Sequence, residues 1–389
     1  MNIGIFSSDF VSKPPFEQRR SSTWGGVAEV VYNLSLSLNE KGHEVNIFTN
    51  TSSKIDVGKQ SFEQITVHRY KSTIEIGGTP VSIPMLYRPL DTELDIAHVH
   101  LGFPSNVISG LLYATYHDCP LVLTGHGEIQ LNGDDRIRDK LISVFKKFLD
   151  YIVMRTDANT AVSKGMIEMV DYFNTDGEYV DVIPNGIDLS DECDHSQEEA
   201  KKKLGHEPTE PLILFLGTLV DRKRPDLLIR ALARLTDHYP KATCIIAGQG
   251  RKRSELEDLA KSKNLNEKVY FPGFIPENKK RIYYKAADVF CLPSAHESFG
   301  LVLLEAQLQG TPVVVSDLPC FQEIVNDGQD GYISSRNPEA IAKSIGQILS
   351  DSELKAEMSK QASENAKKYS WSTIADQYIE LYTKTLNNY

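Results

Sequence analysis

The stretch ADVFCLPSAHESFGLVLLE, residues 287–305, places a short apolar strand directly before a helix. In this prediction Ser298 caps the helix through its side-chain oxygen. Phe299, Gly300 and Leu301 then open the helix with free backbone N–H groups at the positive end of the helix dipole. An anion is the ligand that such a helix start favours. The stretch therefore predicts a strand–helix unit of an α/β fold with an anion site where the helix begins.

Two glutamates flank this predicted helix start. Glu305 lies about two turns into the predicted helix, among apolar neighbours, so its carboxylate needs a hydroxyl or a cationic partner. Glu297 precedes the capping residue. An anion site beside a carboxylate that binds hydroxyl groups suits a nucleotide sugar. The alternative is that both glutamates are ordinary helix-start carboxylates, which the dipole also stabilises.

Strand-like and helical runs alternate along the whole chain, which is typical of a mostly parallel sheet covered by helices. The strand-like runs are NIGIF, EVNIFT, ITVHRY, DIAHVH, PLVLTG, ANTAVS and YVDVIPNG in the first half and LILFLG, TCIIAG, VYFPG, DVFCLP, PVVVSD and GYIS in the second. The helical runs include about 27–41, 225–239 and 254–263, and a final helix begins near Ser370 or Ser372. We therefore predict two Rossmann-like, doubly wound domains that face each other across a cleft.

A charged run that contains two prolines, residues 189–211, interrupts this alternation. Such a composition is typical of a linker between domains. The predicted N-terminal domain therefore covers residues 1–188, and the predicted C-terminal domain covers residues 189–370.

Basic residues follow two of the predicted strands of the second domain. LILFLG is followed by TLVDRKR, CIIAG by QGRKR, and DVFCLP by SAHESFG. Because ligands bind at the carboxyl ends of parallel strands, we expect Arg222, Lys223, Arg224 and the triplet 251–253 to share one edge of the sheet with the glutamates. Gly248, in AGQGR, would let a ligand approach the backbone closely.

Composition limits the classes of function. The chain has 389 residues and a formal net charge of -11, which argues against nucleic-acid binding because that needs a clustered basic surface. No run approaches the ~20 apolar residues of a membrane span, and MNIGIFSSDF is predicted to be a buried strand, so we expect a cytoplasmic protein. The five cysteines show no metal-binding spacing, and no Asp-x-Asp motif occurs, so we predict a site without a metal.

The paired glutamates resemble a motif of the retaining, family-four glycosyltransferases of GT-B architecture, also called glycosyl transferases group 1. The resemblance implies that Glu305 binds the ribose hydroxyls of the donor and that Glu297 approaches the donor sugar. It also implies that the backbone at Phe299, Gly300 and Leu301 binds the diphosphate.

The segment GTLVDRKR matches the family only in part. Family members have an arginine directly after the glycine and a lysine five positions later, both on the diphosphate. Lys223 matches the lysine, whereas Thr218 stands at the position of the arginine. Arg222, Arg224 or Arg251 would then supply the missing charge.

Other segments also match the family. Gly25 and Gly26 correspond to its diphosphate-contacting loop, although a glycine pair alone is more typical of a flexible loop. His126, in TGHG, resembles the histidine that lies over the donor sugar and acceptor, and Ile275 stands where family members contact the nucleobase through the main chain. In the family the last helix, here residues 371–389, packs back onto the first domain. The implied catalytic residues are thus His126 together with Glu297 and Lys223.

The resemblance implies retaining, metal-independent transfer of a hexose from a nucleoside diphosphate sugar to an acceptor hydroxyl, with no cofactor. UDP is the first expectation for the nucleotide and GDP the second, and the acceptor would be lipid-linked or part of a glycan. Two alternatives stay open: a UDP-N-acetylglucosamine epimerase of the same architecture, and a non-catalytic nucleotide-sugar sensor, which Thr218 would favour.

Residues 136–155 have apolar side chains at helical spacing and basic side chains on the other faces. A basic amphipathic helix of this kind can lie on an anionic bilayer, which makes the segment a candidate for peripheral membrane contact. It can equally pack on the sheet of its own domain.

Overall fold

The computed structural model describes residues 1–8, 10, 15–16, 26–51, 57–76, 79–102, 104–127, 147–173 and 179–389. The chain forms two compact units. One consists of Met1–Gly186 with Trp371–Tyr389, and the other consists of Ile187–Ser370. Each unit is built on a parallel β-sheet with helices, so the predicted α/β fold class is confirmed.

The first unit contains an eight-stranded sheet in the order β10-β9-β8-β7-β1-β2-β4-β3, together with a separate hairpin of β5 and β6. All neighbours in the large sheet are parallel except β3 and β4. Its strands are β1 Asn2–Phe6, β2 Glu44–Thr51, β3 Gly58–Phe62, β4 Ile65–Lys71, β5 Ile74–Ile76, β6 Thr79–Val81, β7 Ile96–His100, β8 Leu121–Gly125, β9 Ala158–Ala161 and β10 Val180–Val182.

Helices accompany this sheet, and β7 and β8 are buried along their whole length, including His98 and His100 of β7. The helices that lie wholly within the described part of the first unit are Gly26–Glu40, Pro84–Tyr87, Pro104–His117, Lys164–Met169 and Trp371–Asn388, with 3-10 turns at Arg88–Asp91 and Asp171–Phe173.

The C-terminal helix, Trp371–Asn388, belongs to the first unit. The Tyr378 hydroxyl lies 3.3 Å from Oγ1 of Thr124 in β8, and the Tyr382 hydroxyl lies 2.7 Å from Nδ1 of His98 in β7. Both tyrosines are buried, so their hydroxyl groups need these partners. The last helix is therefore part of the core of the first unit.

The second unit contains a six-stranded, fully parallel sheet in the order β13-β12-β11-β14-β15-β16. Its strands are β11 Leu212–Leu216, β12 Thr243–Ala247, β13 Val269–Gly273, β14 Val289–Leu292, β15 Val313–Ser316 and β16 Gly331–Ser334. Its helices are Gln197–Lys203, Pro225–Leu235, Arg253–Ser262, Glu277–Ala286, Leu301–Leu308, Pro319–Gln322, Pro338–Ser350 and Ser352–Lys367, with 3-10 turns at Leu189–Asp191 and Asp221–Lys223.

A buried carboxylate ties helices of the second unit to its sheet. Asp288, directly before β14, accepts bonds from Lys201 and Lys355 at 2.7 Å each and from the backbone N–H of Leu212 at 2.8 Å. Asp288 and Lys201 are both almost fully buried, and a buried charge is tolerated only when it is paired in this way. Loss of Asp288 would leave the Lys201 ammonium in the interior without a counter-charge, whereas Asp288 keeps Lys355 as a partner if Lys201 is lost.

Every strand predicted from the apolar runs is present. Three further strands were not predicted: β3, which is exposed along its length, and the short pair β5 and β6. The reason for β3 is physical, because its sequence GKQSF forms an antiparallel edge and buries nothing.

Most of the segment 136–155 lies outside the described residues. Within its described part, residues 147–153 are helical, and Leu149 and Ile152 from the apolar stripe are buried. These two side chains favour packing inside the unit over contact with a bilayer. Among the described residues, no helix is both long and apolar enough to cross a membrane.

Candidate active site

Three neighbouring strands of the second unit end at the same edge of the sheet. β12, β11 and β14 are adjacent and parallel, so the loops after Ala247, Leu216 and Leu292 come together, as predicted. Backbone hydrogen bonds join these loops: Leu219 N–H donates to the Gln249 carbonyl at 2.8 Å, and Ala295 N–H donates to the Arg222 carbonyl at 2.7 Å. The two basic triplets, residues 222–224 and 251–253, and Glu297 are therefore held by loops that are hydrogen-bonded to one another.

Glu297 is the centre of a charged cluster in these loops. Its carboxylate pairs with the Lys223 ammonium and lies 3.7 Å from the Arg222 guanidinium. The Ser294 hydroxyl donates to Oε1 at 2.9 Å. The Glu297 side chain is only 8% exposed, whereas Arg222 is 43% exposed. A nearly buried carboxylate is thus neutralised by two cations, one of which faces solvent.

The other three arginines of the basic triplets have local partners, and Arg253 pairs with Glu257 at 2.9 Å. Arg251 pairs with Asp221 at 2.7 Å, and Lys252 pairs with the same carboxylate at 2.9 Å. The hydrogen bond from Lys252, followed by that from Arg251, lowers the pKa of Asp221. Arg224 forms a two-pronged pair with Asp226. Arg251 is three-quarters exposed, so it can turn toward a ligand, whereas Arg224 is engaged at the start of the next helix.

Gly248 and Gly250 are required by the close approach of two loops. A Cβ on Gly248 would lie 1.9 Å from the carbonyl oxygen of Gly217, and the φ of Gly248 is +134°. A Cβ on Gly250 would lie 2.2 Å from the carbonyl oxygen of Leu219. Only glycine avoids these contacts, so the glycines bring the loops after β11 and β12 together. This internal role is distinct from the predicted approach of a ligand.

The helix after β14 starts later than predicted. It covers Leu301–Leu308, and its capping position is Gly300, which has a left-handed φ of 111° and makes no side-chain capping bond. The prediction that Ser298 caps this helix is therefore wrong, and Phe299 lies before the helix, with its side chain buried. The left-handed turn at Gly300 separates the two glutamates into a loop and a helix.

Glu305 is the fifth residue of this helix, so it lies just over one turn from the start rather than two. Its Oε2 accepts a hydrogen bond from the Tyr284 hydroxyl at 2.6 Å, and its Oε1 lies 3.8 Å from the Lys280 ammonium. The predicted need for a hydroxyl or cationic partner is thus confirmed, since both are present. Burial raises the pKa of the Glu305 carboxyl, and Lys280 opposes that shift.

His126 follows β8 in the first unit. Its Nε2 lies 2.8 Å from Nδ1 of His100, and the two rings stack with centroids 5.1 Å apart. His100 in turn packs on His98, with centroids 4.3 Å apart. Burial lowers the pKa of His126 to about 4. His126 is therefore a neutral ring near pH 7, and its Nε2 is engaged by His100.

The remaining predicted residues have simple positions. Gly26 is the first residue of the Gly26–Glu40 helix, and Gly25 lies outside the described residues. Thr218 is exposed in the loop after β11. Ile275 is buried between β13 and the Glu277–Ala286 helix. These placements are compatible with the predicted contacts and do not test them.

Two polar side chains of the site were not predicted. Ser294, on Glu297, follows β14 directly, and its position in SAHES was a signal that could have identified it. Tyr284 comes from another helix and has no local signal in the sequence, because tertiary packing brings its hydroxyl to Glu305.

Two family models match the chain. Residues 24–191 match the model described as Glycosyltransferase Family 4, and residues 196–369 match the model described as Glycosyl transferases group 1. The chain is 36% identical over 228 residues to an uncharacterized glycosyltransferase of Methanocaldococcus jannaschii, a match that covers 57% of this chain and 58% of that relative. It is 29% identical over 403 residues to the D-inositol 3-phosphate glycosyltransferase of Nocardia farcinica, covering 97% of this chain and 88% of that enzyme.

Solved structures share the fold over the whole chain. Sucrose-phosphate synthase from Thermosynechococcus elongatus matches with a TM-score of 0.75 at 22% identity and covers 100% of both chains. Anabaena HepE, solved in complex with UDP and glucose, matches with a TM-score of 0.72 at 20% identity and covers 98% of this chain and 99% of that one. The chain therefore belongs to the family-four glycosyltransferases, the glycosyl transferases group 1, and has the GT-B fold.

Proposed function

We propose that this enzyme transfers a hexose from a nucleoside diphosphate sugar to an acceptor hydroxyl, with retention of configuration and without a metal. UDP is the proposed nucleotide and GDP the second choice. The observation that carries the proposal is the pairing of the nearly buried Glu297 with Lys223 and Arg222 at the edge where β11, β12 and β14 end. This edge is where open parallel sheets bind their ligands.

The cluster suits a diphosphate leaving group. Lys223 and Arg222 are held close by the Glu297 carboxylate, so a diphosphate that arrives meets two cations already in position. Lys223 can then transfer its contact from the carboxylate to a phosphate oxygen, which leaves Glu297 free to approach the donor sugar. The sequence has no Asp-x-Asp motif to hold a bridging metal, so we assign charge neutralisation to these cations.

The names of two similar proteins support the proposed donor and acceptor. The Nocardia relative is named for an inositol phosphate acceptor, and Anabaena HepE has been solved with UDP and glucose. Inositol 3-phosphate is therefore a sensible first acceptor to test, together with simple sugars and lipid-linked hydroxyl compounds. UDP-glucose is the first donor to test.

The test is a panel of UDP- and GDP-sugars, each incubated with the acceptors and with EDTA. We expect release of UDP that requires an acceptor and persists in EDTA, with the product keeping the anomeric configuration of the donor by NMR. Inverted configuration, or activity that EDTA abolishes, would contradict the corresponding part of the proposal.

The same assay separates the two alternatives. Conversion of UDP-N-acetylglucosamine without any acceptor would identify an epimerase. Tight donor binding without release of UDP for any acceptor would identify a sensor. Melting temperatures measured with each donor would support the comparison, since a ligand at ~100 times its dissociation constant adds ~2.7 kcal/mol of stability.

A further inference from the structure

Tyr284 places a hydroxyl group on the carboxylate that we expect to bind ribose. Its hydroxyl donates to Oε2 of Glu305 at 2.6 Å, although the two residues lie on different helices, Glu277–Ala286 and Leu301–Leu308. Tyr284 is only 1% exposed. A buried tyrosine hydroxyl needs a partner, and here that partner is an ionisable group at the edge of a pocket.

The position of Tyr284 is fixed independently of Glu305. Its ring meets that of Phe290 in β14 edge to face, with centroids 5.4 Å apart. Its backbone carbonyl accepts a hydrogen bond from the Thr311 hydroxyl at 2.7 Å. The hydroxyl is thus held by the core of the second unit, and it can restrict the rotamer of a carboxylate that is itself partly exposed.

The other oxygen of Glu305 is less engaged. Oε1 lies 3.8 Å from the Lys280 ammonium, which is beyond hydrogen-bond distance, and Lys280 also pairs with Glu277 at 2.8 Å. The pocket next to Glu305 is lined by Arg281 and Gln309, by the carboxylates of Asp191 and Glu277, and by the apolar side chains of Ile187 and Leu308. One carboxylate oxygen is therefore anchored by the protein, while the other retains capacity for a ligand hydroxyl.

We propose that Tyr284 is a positioning residue that orients the Glu305 carboxylate toward the ribose hydroxyls of the donor nucleotide. The proposal rests on the proposed function, in which Glu305 binds ribose. A carboxylate held in one orientation binds a diol without first losing rotamer freedom, and it discriminates against a nucleotide that lacks the hydroxyls. Tyr284 would thereby contribute to selection of ribonucleotides by acting on the ribose through Glu305.

The test compares Tyr284→Phe with wild type in calorimetric titrations of UDP, of GDP and of the 2′,3′-dideoxy form of whichever binds more tightly. We expect Tyr284→Phe to weaken binding of the ribonucleotide roughly tenfold, because the Glu305 carboxylate is then no longer held in place and loses rotamer freedom when the ribose binds. Binding of the dideoxy nucleotide should be nearly unchanged. In turnover, the donor KM should rise while kcat stays close to that of wild type.

The matched control is Tyr283→Phe, which removes a hydroxyl from the adjacent residue of the same helix and should leave both affinities unchanged. In a Glu305→Gln background, Tyr284→Phe should cause little further loss, since the two residues act through one contact. An equal loss for the ribonucleotide and its dideoxy form, or no loss for either, would overturn the assignment of Tyr284. If wild type binds neither UDP nor GDP, the proposed function itself fails, and this inference fails with it.

Discussion

Glu297 and Lys223 form an ion pair in the site before a substrate binds. Each is mostly buried, and each would be costly to keep in the interior without the other. Arg222 and Ser294 also contact Glu297, so its carboxylate keeps a partner when one of these residues is removed. The pair is therefore stable without a ligand and can still exchange partners when a diphosphate arrives.

Replacement of Lys223 by Met should lower kcat by roughly 100-fold or more, because the leaving diphosphate loses its nearest cation. Glu297→Gln keeps the size of the side chain and the bond from Ser294, and it should lower kcat by a similar factor with a smaller effect on nucleotide affinity. Acceptor-dependent UDP release and calorimetric titration of UDP measure the two effects.

Lys241→Met, at an exposed lysine of the same unit, is the control and should retain wild-type kcat. Near-normal turnover of Lys223→Met would remove Lys223 from the proposed mechanism. Loss of nucleotide binding with normal kcat in Glu297→Gln would place that residue in binding rather than in turnover.

At the scale of elements, the apolar strand runs predict the sheets well, because a buried parallel strand must be apolar on both faces. The order of β12, β11 and β14 then follows from the doubly wound pattern. This order in turn predicts that both basic triplets and Glu297 lie at the same edge of the sheet. The start of the Leu301–Leu308 helix could not be predicted in the same way. Ser298 is a good capping residue by type, but the left-handed Gly300 turns the chain after it.

Contacts between side chains of different helices and strands also cannot be predicted from the sequence pattern. Nothing near Glu305 in the chain indicates that Tyr284 will reach it, since the contact depends on how two helices pack around β14. The stacking of His126 on His100 has the same origin, because parallel pairing of β7 and β8 brings the ends of the two strands together. The types of residue in the site were thus predictable, whereas their contacts across elements were not.

Gly250→Ala should separate the loops after β11 and β12, because the new Cβ would meet the carbonyl oxygen of Leu219 at 2.2 Å. We expect a loss of about 1–3 kcal/mol in the free energy of unfolding of the second unit. Urea unfolding followed by far-UV circular dichroism measures the change, and nucleotide affinity should fall in parallel.

Gly346→Ala is the matched control in the same unit. Gly346 lies inside the Pro338–Ser350 helix, and its added Cβ would be 3.7 Å from the nearest atom, which is ordinary contact. This change should stabilise the unit by about 0.5–1 kcal/mol, because alanine favours the helix. Equal effects of the two substitutions would show that the contact between Gly250 and Leu219 is not tight.

For the molecule as a whole, several buried histidines of the first unit have lowered pKa values. Burial lowers the pKa of His98 to about 3, and that of His68 and His126 to about 4 each. It also lowers the pKa of His100 well below its usual value. In an unfolded chain each of these groups titrates near ~6.5. In the second unit the shifts oppose one another, because burial raises the pKa of the Glu305 and Asp330 carboxyls, which opposes acid unfolding, whereas the pKa of Asp221 is lowered, which favours it.

The first unit should therefore lose stability as the pH falls from about 6.5 toward 4. In this window the histidines bind protons in the unfolded chain but stay neutral in the folded unit. Each histidine therefore lowers the free energy of unfolding by at most about 1.4 kcal/mol per pH unit. The second unit, Ile187–Ser370, contains no tryptophan, so urea unfolding followed by tryptophan fluorescence does not report on it and follows the rest of the chain. We expect a clearly lower urea midpoint at pH 5 than at pH 7.

His68→Gln should reduce this pH dependence, whereas His238→Gln, at an exposed histidine of the second unit, should not. A midpoint that stays constant between pH 7 and pH 5 would mean that the buried histidines take up protons without unfolding.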